Sequence, residues 1–157
     1  DVIRKSEVQI IWQTGKFYSA KIKAQLENAE PVKNLVVTDF ISDMGTAYKA
    51  ADLIISRAGA SSISEFCLIG KPVILVPSPN VAEDHQTKNA MSLVNKQAAM
   101  IMKDAQAPDE LVDLALETVN SKEKLESLSM NIKKLALPDS ANIIADEVLK
   151  LAEEGKK

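Results

Sequence analysis

The sequence predicts an α/β fold in which a parallel β-sheet is flanked by helices. Three observations support this prediction. Short apolar segments typical of strands alternate with longer segments that have helical apolar spacing. The strand segments are almost continuously apolar, as in Leu53-Ile54-Ile55 and Val73-Ile74-Leu75-Val76, which is typical of strands covered on both faces. The 157 residues, 46% of them hydrophobic and 26% charged, have the size and composition of one globular domain.

Each element is placed by its apolar periodicity and by the turn residues that bound it. Strands are predicted over residues 8–12, 35–38, 52–56, 73–76 and 99–102. Helices are predicted over residues 17–28, 44–51, 61–69, 86–96, 108–119 and 122–135, and from 140 to about 153. Gly70 is expected to end the third helix and Asp139-Ser140 to cap the last one. Lys156-Lys157 is expected to fray.

Composition excludes several classes of protein. The formal net charge is -3, from 19 basic and 22 acidic residues, and aromatic residues make up 4%, which argues against a nucleic-acid partner. Cys67 is the one cysteine, so no disulfide forms within the chain, as fits a reducing compartment. No apolar run reaches the roughly 18 residues of a membrane span, and the polar N-terminus shows no signal peptide.

The segment Ser56-Arg57-Ala58-Gly59-Ala60-Ser61-Ser62-Ile63-Ser64-Glu65 predicts a binding site for phosphate. A strand ends, a loop of small residues follows, and a helix begins, so that free backbone N–H groups favour an anion. Glu65 lies one turn into the helix, where a carboxylate can accept hydrogen bonds from a ribose diol. The alternative is a tight turn with Ser61 or Ser62 as the cap and Glu65 as the acid of a capping box. This segment alone leaves both interpretations open.

Three other loops, residues 13–16, 39–44 and 77–86, follow strand ends, where ligands bind in parallel sheets. Asp84, Gln86 and Asn89 could hydrogen-bond sugar hydroxyls, or Asp84 could simply cap a solvated helix. Thr14 could donate to a phosphate, or Gln13-Thr14-Gly15-Lys16 could be a plain turn.

Charged side chains near these loops give weaker signals. Arg57 could pair with a phosphate, or with Asp52 or Glu65. His85, alone in the sequence, is weak evidence for either a metal ligand or a general base, and no metal site is predicted.

Taken in order, several segments resemble the C-terminal domain of the MurG family, the UDP-N-acetylglucosamine transferases of peptidoglycan synthesis. The segments that carry the resemblance are Trp12-Gln13-Thr14-Gly15-Lys16, Phe40-Ile41-Ser42-Asp43-Met44, Ala51-Asp52-Leu53-Ile54-Ile55-Ser56-Arg57-Ala58-Gly59-Ala60, Glu65, Gly70-Lys71-Pro72 and Asp84-His85-Gln86-Thr87-Lys88-Asn89-Ala90. Any one motif is moderate evidence, but the ordered set covers nearly the whole chain.

The resemblance implies a Rossmann-like domain, the C-terminal half of a GT-B glycosyltransferase. That family moves N-acetylglucosamine from UDP to a muramoyl-pentapeptide on undecaprenyl diphosphate, with inversion and without a cofactor. Its C-terminal domain holds the donor, and its N-terminal domain supplies the acceptor site, the membrane contact and the base. This chain is therefore expected to bind UDP-N-acetylglucosamine and to carry no catalytic residue. The full-length enzyme would lie at the cytoplasmic face of the bacterial inner membrane.

The resemblance also implies a role for individual residues. Phe40 and Ile41 match the uracil pocket, and the Ile41 backbone would read the base edge. Glu65 would accept hydrogen bonds from the ribose. The residues expected to contact the diphosphate or the sugar are Thr14, Arg57, Gly59, Ala60, Ser61, His85, Gln86 and Asn89.

Residues 1–157 depart from the family pattern in two ways. They contain neither the glycine-rich loop Gly-Gly-Ser-x-Gly-Ala nor an acceptor domain, so the domain is expected to lack its first strand and phosphate loop and to expose a sheet edge. One alternative is a related enzyme such as a UDP-N-acetylglucosamine 2-epimerase, but the carboxylate pair and base that it requires find no match. The other is a non-enzymatic α/β module that binds partners through its surface.

Overall fold

The structure, a computed structural model, describes residues 2–155. The strands in this range are β1 (Ile10–Gln13), β2 (Leu35–Thr38), β3 (Ile54–Ser56), β4 (Val73–Leu75) and β5 (Met100–Ile101). The α-helices are α1 (Val2–Lys5), α2 (Gly15–Glu27), α3 (Met44–Ala50), α4 (Ala60–Ile69), α5 (His85–Val94), α6 (Ala107–Val119), α7 (Lys122–Lys133) and α8 (Ser140–Glu154). The predicted fraying of Lys156-Lys157 lies outside the described residues.

All strand pairs are parallel, as the alternation of strands and helices predicts, but they form two sheets. β1 pairs with β2, with Ile10 opposite Leu35. β4 lies between β3 and β5, with Ile54 opposite Val73 and Ile74 opposite Met100. Each pair joins two strands that are consecutive in the sequence. The α/β class is therefore confirmed, and β1 and β3 each keep one edge without a strand partner among residues 2–155.

The hydrophobic core surrounds the three-stranded sheet. Val73, Ile74 and Leu75 of β4 are fully buried, and Phe66 of α4 and Ile132 of α7 pack around them. Within the described part of the chain, every buried apolar side chain lies between Ile54 and Ile132. The near-continuous apolar run thus predicts burial correctly for β4, whereas Ile55 of β3 is 46% exposed.

The two-stranded sheet is much less covered. Ile11 is 54% exposed and Val36 is 60% exposed, although both lie within strands. The Asn34 side chain connects the start of β2 to the N-terminal residues. Its amide donates to the carbonyl oxygens of Ile3 at 2.9 Å and Val8 at 2.7 Å. The sequence does not predict α1, the short helix that these contacts hold beside β2.

Two predicted helix ends have different outcomes. Gly70 ends α4 in the left-handed conformation (φ 65°), and its N–H donates to the Phe66 carbonyl oxygen at 3.0 Å, as predicted. Asp139 is the N-cap residue of α8, as predicted, but its carboxylate accepts from the Asn142 amide at 2.6 Å and caps no backbone N–H. None of the helices described is long and apolar enough to cross a membrane.

Candidate functional site

The predicted ligand-binding residues follow the carboxyl ends of β1, β2, β3 and β4. Thr14 follows β1, Phe40 and Ile41 follow β2, and residues 57–61 join β3 to α4. His85, Gln86 and Asn89 lie in the first turns of α5, which follows β4. Because the strands within each sheet are parallel, the loops of each sheet lie together at the carboxyl ends of its strands. Ligands bind at this end of the sheet in this class of fold.

The N-terminus of α4 has no side-chain cap. Gly59 occupies the cap position in an extended conformation, and the helix begins at Ala60. The first backbone bond into the helix runs from the Ile63 N–H to the Gly59 carbonyl oxygen at 3.0 Å. The alternative in which Ser61 or Ser62 caps the helix is therefore wrong, because both residues lie inside it. The amides of Ala60, Ser61 and Ser62 remain available to an anion.

Two side-chain amides of α5 hold this loop in place through both backbone groups of one residue, Ala58. Gln86 Oε1 accepts from the Ala58 N–H at 3.2 Å and from the Ser78 N–H at 2.9 Å. Asn89 Nδ2 donates to the Ala58 carbonyl oxygen at 3.1 Å. Ala58 itself is fully buried. Gln86 and Asn89 therefore fix the backbone that leads into α4.

These bonds also determine which atoms of the two amides stay available. A backbone N–H can only donate, so the Gln86 atom that receives two of them must be its oxygen. A carbonyl oxygen can only accept, so the Asn89 atom that it meets must be its nitrogen. Gln86 Nε2 and Asn89 Oδ1 are left as a donor and an acceptor, a pair that matches the two roles of a sugar hydroxyl.

Arg57 binds protein groups. Its guanidinium pairs with the Asp104 carboxylate, which lies just beyond β5, and donates to the Val76 carbonyl oxygen at 3.1 Å. The predicted alternatives of Asp52 and Glu65 as its partners are therefore wrong. Arg57 joins the ends of β3, β4 and β5, and its side chain stays 54% exposed.

A second group of contacts joins the ends of β1 and β2. Thr14 is buried, and its hydroxyl lies 3.2 Å from the Thr38 carbonyl oxygen and 3.2 Å from that of Gly15. Gln13 Oε1 accepts from the Ile41 N–H at 2.8 Å. The backbone group of Ile41 that stays available for a base edge is therefore its carbonyl oxygen. Phe40 beside it is 64% exposed.

Glu65 lies on the exposed face of α4 and contacts α3. Its Oε2 accepts a hydrogen bond from the Tyr48 phenol at 3.1 Å. Both residues line a groove of about 300 Å³ between α3 and α4, together with Met44, Gly45, Leu68 and Ile69. Burial, and then the hydrogen bond to Glu65, raise the pKa of Tyr48 above its ordinary value. The phenol therefore stays protonated at neutral pH and acts as the donor.

The turn before α5 is strained. Glu83 and Asp84 both have positive φ angles, of 53° and 54°, which are unusual for residues other than glycine. Asp84 stands at the cap position of α5, but its side chain makes no capping bond. Asp84 is therefore the cap residue of α5 by position, as one alternative held, although its side chain does not cap the helix, which begins at His85. His85 Nε2 lies 3.7 Å from Glu83 Oε2.

Other features of the described residues hold none of the predicted ligand contacts. A second groove, of about 270 Å³, lies on another face of α4 and is lined by Ile63, Cys67, Leu93 and Leu135 among others. Burial raises the pKa of the Cys67 thiol. Residues 2–155 contain no group of three or more His, Cys, Asp or Glu side chains that could hold a metal ion.

Three residues of the site were not singled out from the sequence, namely Gln13, Tyr48 and Asp104. Each acts on a partner distant in the chain: Gln13 on Ile41, Tyr48 on Glu65, and Asp104 on Arg57. Gln13 belongs to the segment Trp12-Gln13-Thr14-Gly15-Lys16, and its position at a strand end could have indicated a role in the site. Tyr48 and Asp104 gave none, because neither belongs to a spaced pattern of polar residues.

Comparison with known proteins agrees with this geometry. The model of the glycosyltransferase family 28 C-terminal domain matches residues 1–144. Two curated relatives bear the name UDP-N-acetylglucosamine--N-acetylmuramyl-(pentapeptide) pyrophosphoryl-undecaprenol N-acetylglucosamine transferase. The relative from Bacteroides fragilis is 64% identical over 96% of this chain and 40% of its own length. The relative from Phocaeicola vulgatus is 64% identical over 100% of this chain and 42% of its own length.

A solved structure gives the same result for the fold. The crystal structure of MurG from Acinetobacter baumannii is 30% identical and superposes with a TM-score of 0.79, over 94% of this chain and 43% of that one. The chain thus spans about 40% of the length of the curated relatives it matches. On its sequence match over residues 1–144 and its fold, the chain belongs to the glycosyltransferase family 28 C-terminal domains.

Proposed function

We propose that this chain is the UDP-N-acetylglucosamine-binding half of an inverting N-acetylglucosaminyltransferase of peptidoglycan synthesis. The acceptor would be a muramoyl-pentapeptide on undecaprenyl diphosphate, held by another domain of the longer protein. That protein would work at the cytoplasmic face of the bacterial inner membrane. The names of the relatives support the reaction, and the arrangement of the α4 N-terminus supports the binding of the donor.

The observation that carries the proposal is the uncapped N-terminus of α4 behind a fixed loop. A helix N-terminus attracts anions because its free N–H groups and the helix dipole point outward. Here Gln86 holds the Ala58 N–H and Asn89 holds the Ala58 carbonyl oxygen, so the amides of Ala60 and Ser61 need no rearrangement to meet a diphosphate. Preorganised donors of this kind stabilise the charge that develops on a leaving diphosphate.

The remaining ligand contacts follow from the atoms left available. The Ile41 carbonyl oxygen can accept from the uracil N3–H, and the exposed Phe40 ring can cover the base. Glu65 can accept from the ribose hydroxyls. Gln86 Nε2 and Asn89 Oδ1 can contact the sugar, with His85 beside them. Thr14 can donate to phosphate only if its hydroxyl leaves its present carbonyl partners. The bonds of Arg57 to Val76, Pro77 and Asp104 all use Nη1, so its other guanidinium N–H groups can donate to phosphate while that contact stays.

We further propose that one strand of the longer protein lies between β1 and β3. Both strands have an edge without a strand partner among the described residues. A preceding strand at that place gives six strands in the order 3-2-1-4-5-6 of doubly wound dinucleotide-binding folds. The exposure of Ile11 at 54% and Ile55 at 46% supports this place, because neighbouring elements would cover both. The loop after such a strand would complete the diphosphate site.

The test is a calorimetric titration with UDP-N-acetylglucosamine, UDP-glucose and GDP-mannose. Both UDP sugars are expected to bind more tightly than GDP-mannose. A hydrogen bond to a charged group contributes about 1.5–3 kcal/mol, so Glu65→Ala should weaken binding roughly 10- to 100-fold. Glu123→Ala, at an exposed position on α7, is the matched control and should bind as the parent does. Equal binding of GDP-mannose, or an unaffected Glu65→Ala variant, would contradict the assignment of the base and ribose contacts.

The strand proposal needs a longer chain. The same titration is run on the chain extended with the natural residues that precede Asp1. Tighter UDP binding and protection of the β1 and β3 amides from hydrogen exchange are expected. Unchanged exchange at both strands would count against the inserted strand and leave the α4 site as it is.

A further inference from the structure

We infer that Tyr48 is a positioning residue that holds the Glu65 carboxylate in the orientation that receives the ribose. This inference rests on the proposed donor-binding function. It adds a residue from a different helix to the nucleotide site. Tyr48 would not touch the ligand but would act through Glu65.

The first argument is the geometry of the contact. Tyr48 Oη donates to Glu65 Oε2 at 3.1 Å, and Oε1 bears no hydrogen bond from the described residues. A carboxylate accepts several hydrogen bonds, so one oxygen can be held while the other receives a diol. Glu65 itself is exposed, and an exposed glutamate otherwise samples many rotamers, which a ligand must then restrict on binding. A fixed carboxylate avoids that loss of entropy.

The second argument is the rigidity of the tyrosine. Its ring stands edge-to-face against Phe66, with the centroids 5.8 Å apart at 83°. Phe66 is 1% exposed and belongs to the hydrophobic core, against which Tyr48 is also packed. The phenol is therefore a donor fixed to the core, while the carboxylate that it holds stays accessible. A contact between two mobile surface side chains would not have this effect.

The third argument is the place of α3 in the chain. This helix starts directly after the Phe40–Ile41 loop, and the Asp43 side chain caps it by accepting from the Thr46 N–H at 2.9 Å. Tyr48 follows one turn later and contacts α4 at Glu65. The segment that would read the base and the carboxylate that would bind the ribose are thus linked through one short helix. The link sets the distance between the two contacts and favours a nucleoside of one size.

The experiment is a double-mutant cycle on UDP binding. Tyr48→Phe keeps the ring and removes only the hydroxyl. It is expected to weaken UDP binding by about 3- to 10-fold, the factor for one ordinary hydrogen bond. The same substitution in a Glu65→Ala background should have no further effect. With 2′,3′-dideoxy-UDP, the parent chain and Tyr48→Phe should bind equally, because no ribose hydroxyl is left to recognise.

The ligands separate a positioning role from a structural one. If Tyr48→Phe weakens UDP and dideoxy-UDP equally, the tyrosine only supports the fold and the inference is wrong. If Glu65→Ala weakens UDP binding and Tyr48→Phe does not, the inference is also wrong while the proposed function stands. If Glu65→Ala binds UDP as the parent does, the ribose assignment in the proposed function fails first. Tyr18→Phe is a matched control for removal of a phenol and should change nothing.

A second measurement tests the contact without any ligand. Burial, and then the hydrogen bond and the charge of Glu65, raise the pKa of Tyr48. In a Tyr18→Phe background, where Tyr48 is the remaining tyrosine, absorbance titration should show that Glu65→Gln lowers that pKa. An unchanged titration would show that the two side chains do not meet in solution and would overturn the inference.

Discussion

The two sheets of this domain are built from the same kinds of element and differ strongly in burial. In the core region, residues 54–132, all three residues of β4 are buried. In the N-terminal region, residues 2–50, Trp12 of β1 is 44% exposed, and Thr14 is the one buried residue that the structure describes there. Both regions have apolar strands joined by helices. The difference shows that an apolar strand becomes buried only when neighbours cover its edges and faces, which β4 has on both sides and β1 on one.

The largest expected effect comes from the same substitution made in each region. Phe66 is 1% exposed and Phe17 is 88% exposed. Phe66→Ala should lower the free energy of unfolding by about 3–5 kcal/mol, because it removes a buried ring and leaves a cavity. Phe17→Ala should change it by no more than about 0.5 kcal/mol. Urea unfolding followed by circular dichroism measures both. Similar losses at the two positions would mean that the N-terminal region is packed as tightly as the core.

Two glycine substitutions should show the same difference between the regions with smaller losses of stability. Gly15 and Gly70 both have left-handed backbones, with φ angles of 73° and 65°. Alanine at either position should cost about 1–2 kcal/mol of backbone strain. A Cβ atom at Gly70 would also meet the Lys133 side chain at 3.4 Å, whereas one at Gly15 meets nothing within 4 Å.

Where the strain acts should also differ between the two glycines. Gly70→Ala should lower the urea midpoint of the whole domain. Gly15→Ala should mainly speed amide exchange at the start of α2. A Gly15→Ala variant with the larger loss of global stability would contradict the expected order.

The smallest expected effect is a pH response of α3. Hydrogen bonds from the Thr46 hydroxyl and N–H lower the pKa of Asp43. A lowered pKa means that this cap stabilises α3 fully above about pH 4, the ordinary range of aspartate, and that the contribution is lost as pH falls further. Amide exchange at Thr46, measured by NMR across this range, should therefore speed up in acid beyond its intrinsic trend. Asp43→Asn retains a capping acceptor and should abolish the response; an equal response in that variant would exclude Asp43 as its source.

Apolar periodicity and turn residues predicted the strands and helices of the buried core region well. Apolar runs located β3 and β4, and Gly70 located the end of α4. The same rules placed the start of α4 too late, because serine is favoured over glycine as a cap, whereas Gly59 holds that position here. They missed α1, which is held by the Asn34 amide from a distant part of the chain.

The sequence predicted which loops form the candidate site, but it predicted few of the contacts between their atoms. A parallel sheet places the loops after β1 to β4 at the carboxyl ends of the strands, and this placement does not depend on which side chains the loops carry. Which atom meets which depends on pairs far apart in sequence, such as Arg57 with Asp104 or Ala58 with Gln86. No local spacing encodes such pairs. The sequence therefore suggested Gln86 and Asn89 as ligand contacts and did not reveal that both also hold the loop.

The pairing of each strand with the next strand in the chain has a consequence for how the domain forms. β1 pairs with β2, β3 with β4, and β4 with β5, and one α-helix with its connections separates the members of each pair. Each pair closes a loop one strand–helix–strand unit long, which is about the shortest connection that a parallel pair allows. Parallel pairing is still slow compared with helix formation, because the loop must close before the strands can pair. We therefore expect the helices to form first and each strand pair to form only after its second strand has left the ribosome. The slower step would be the joining of the two sheets.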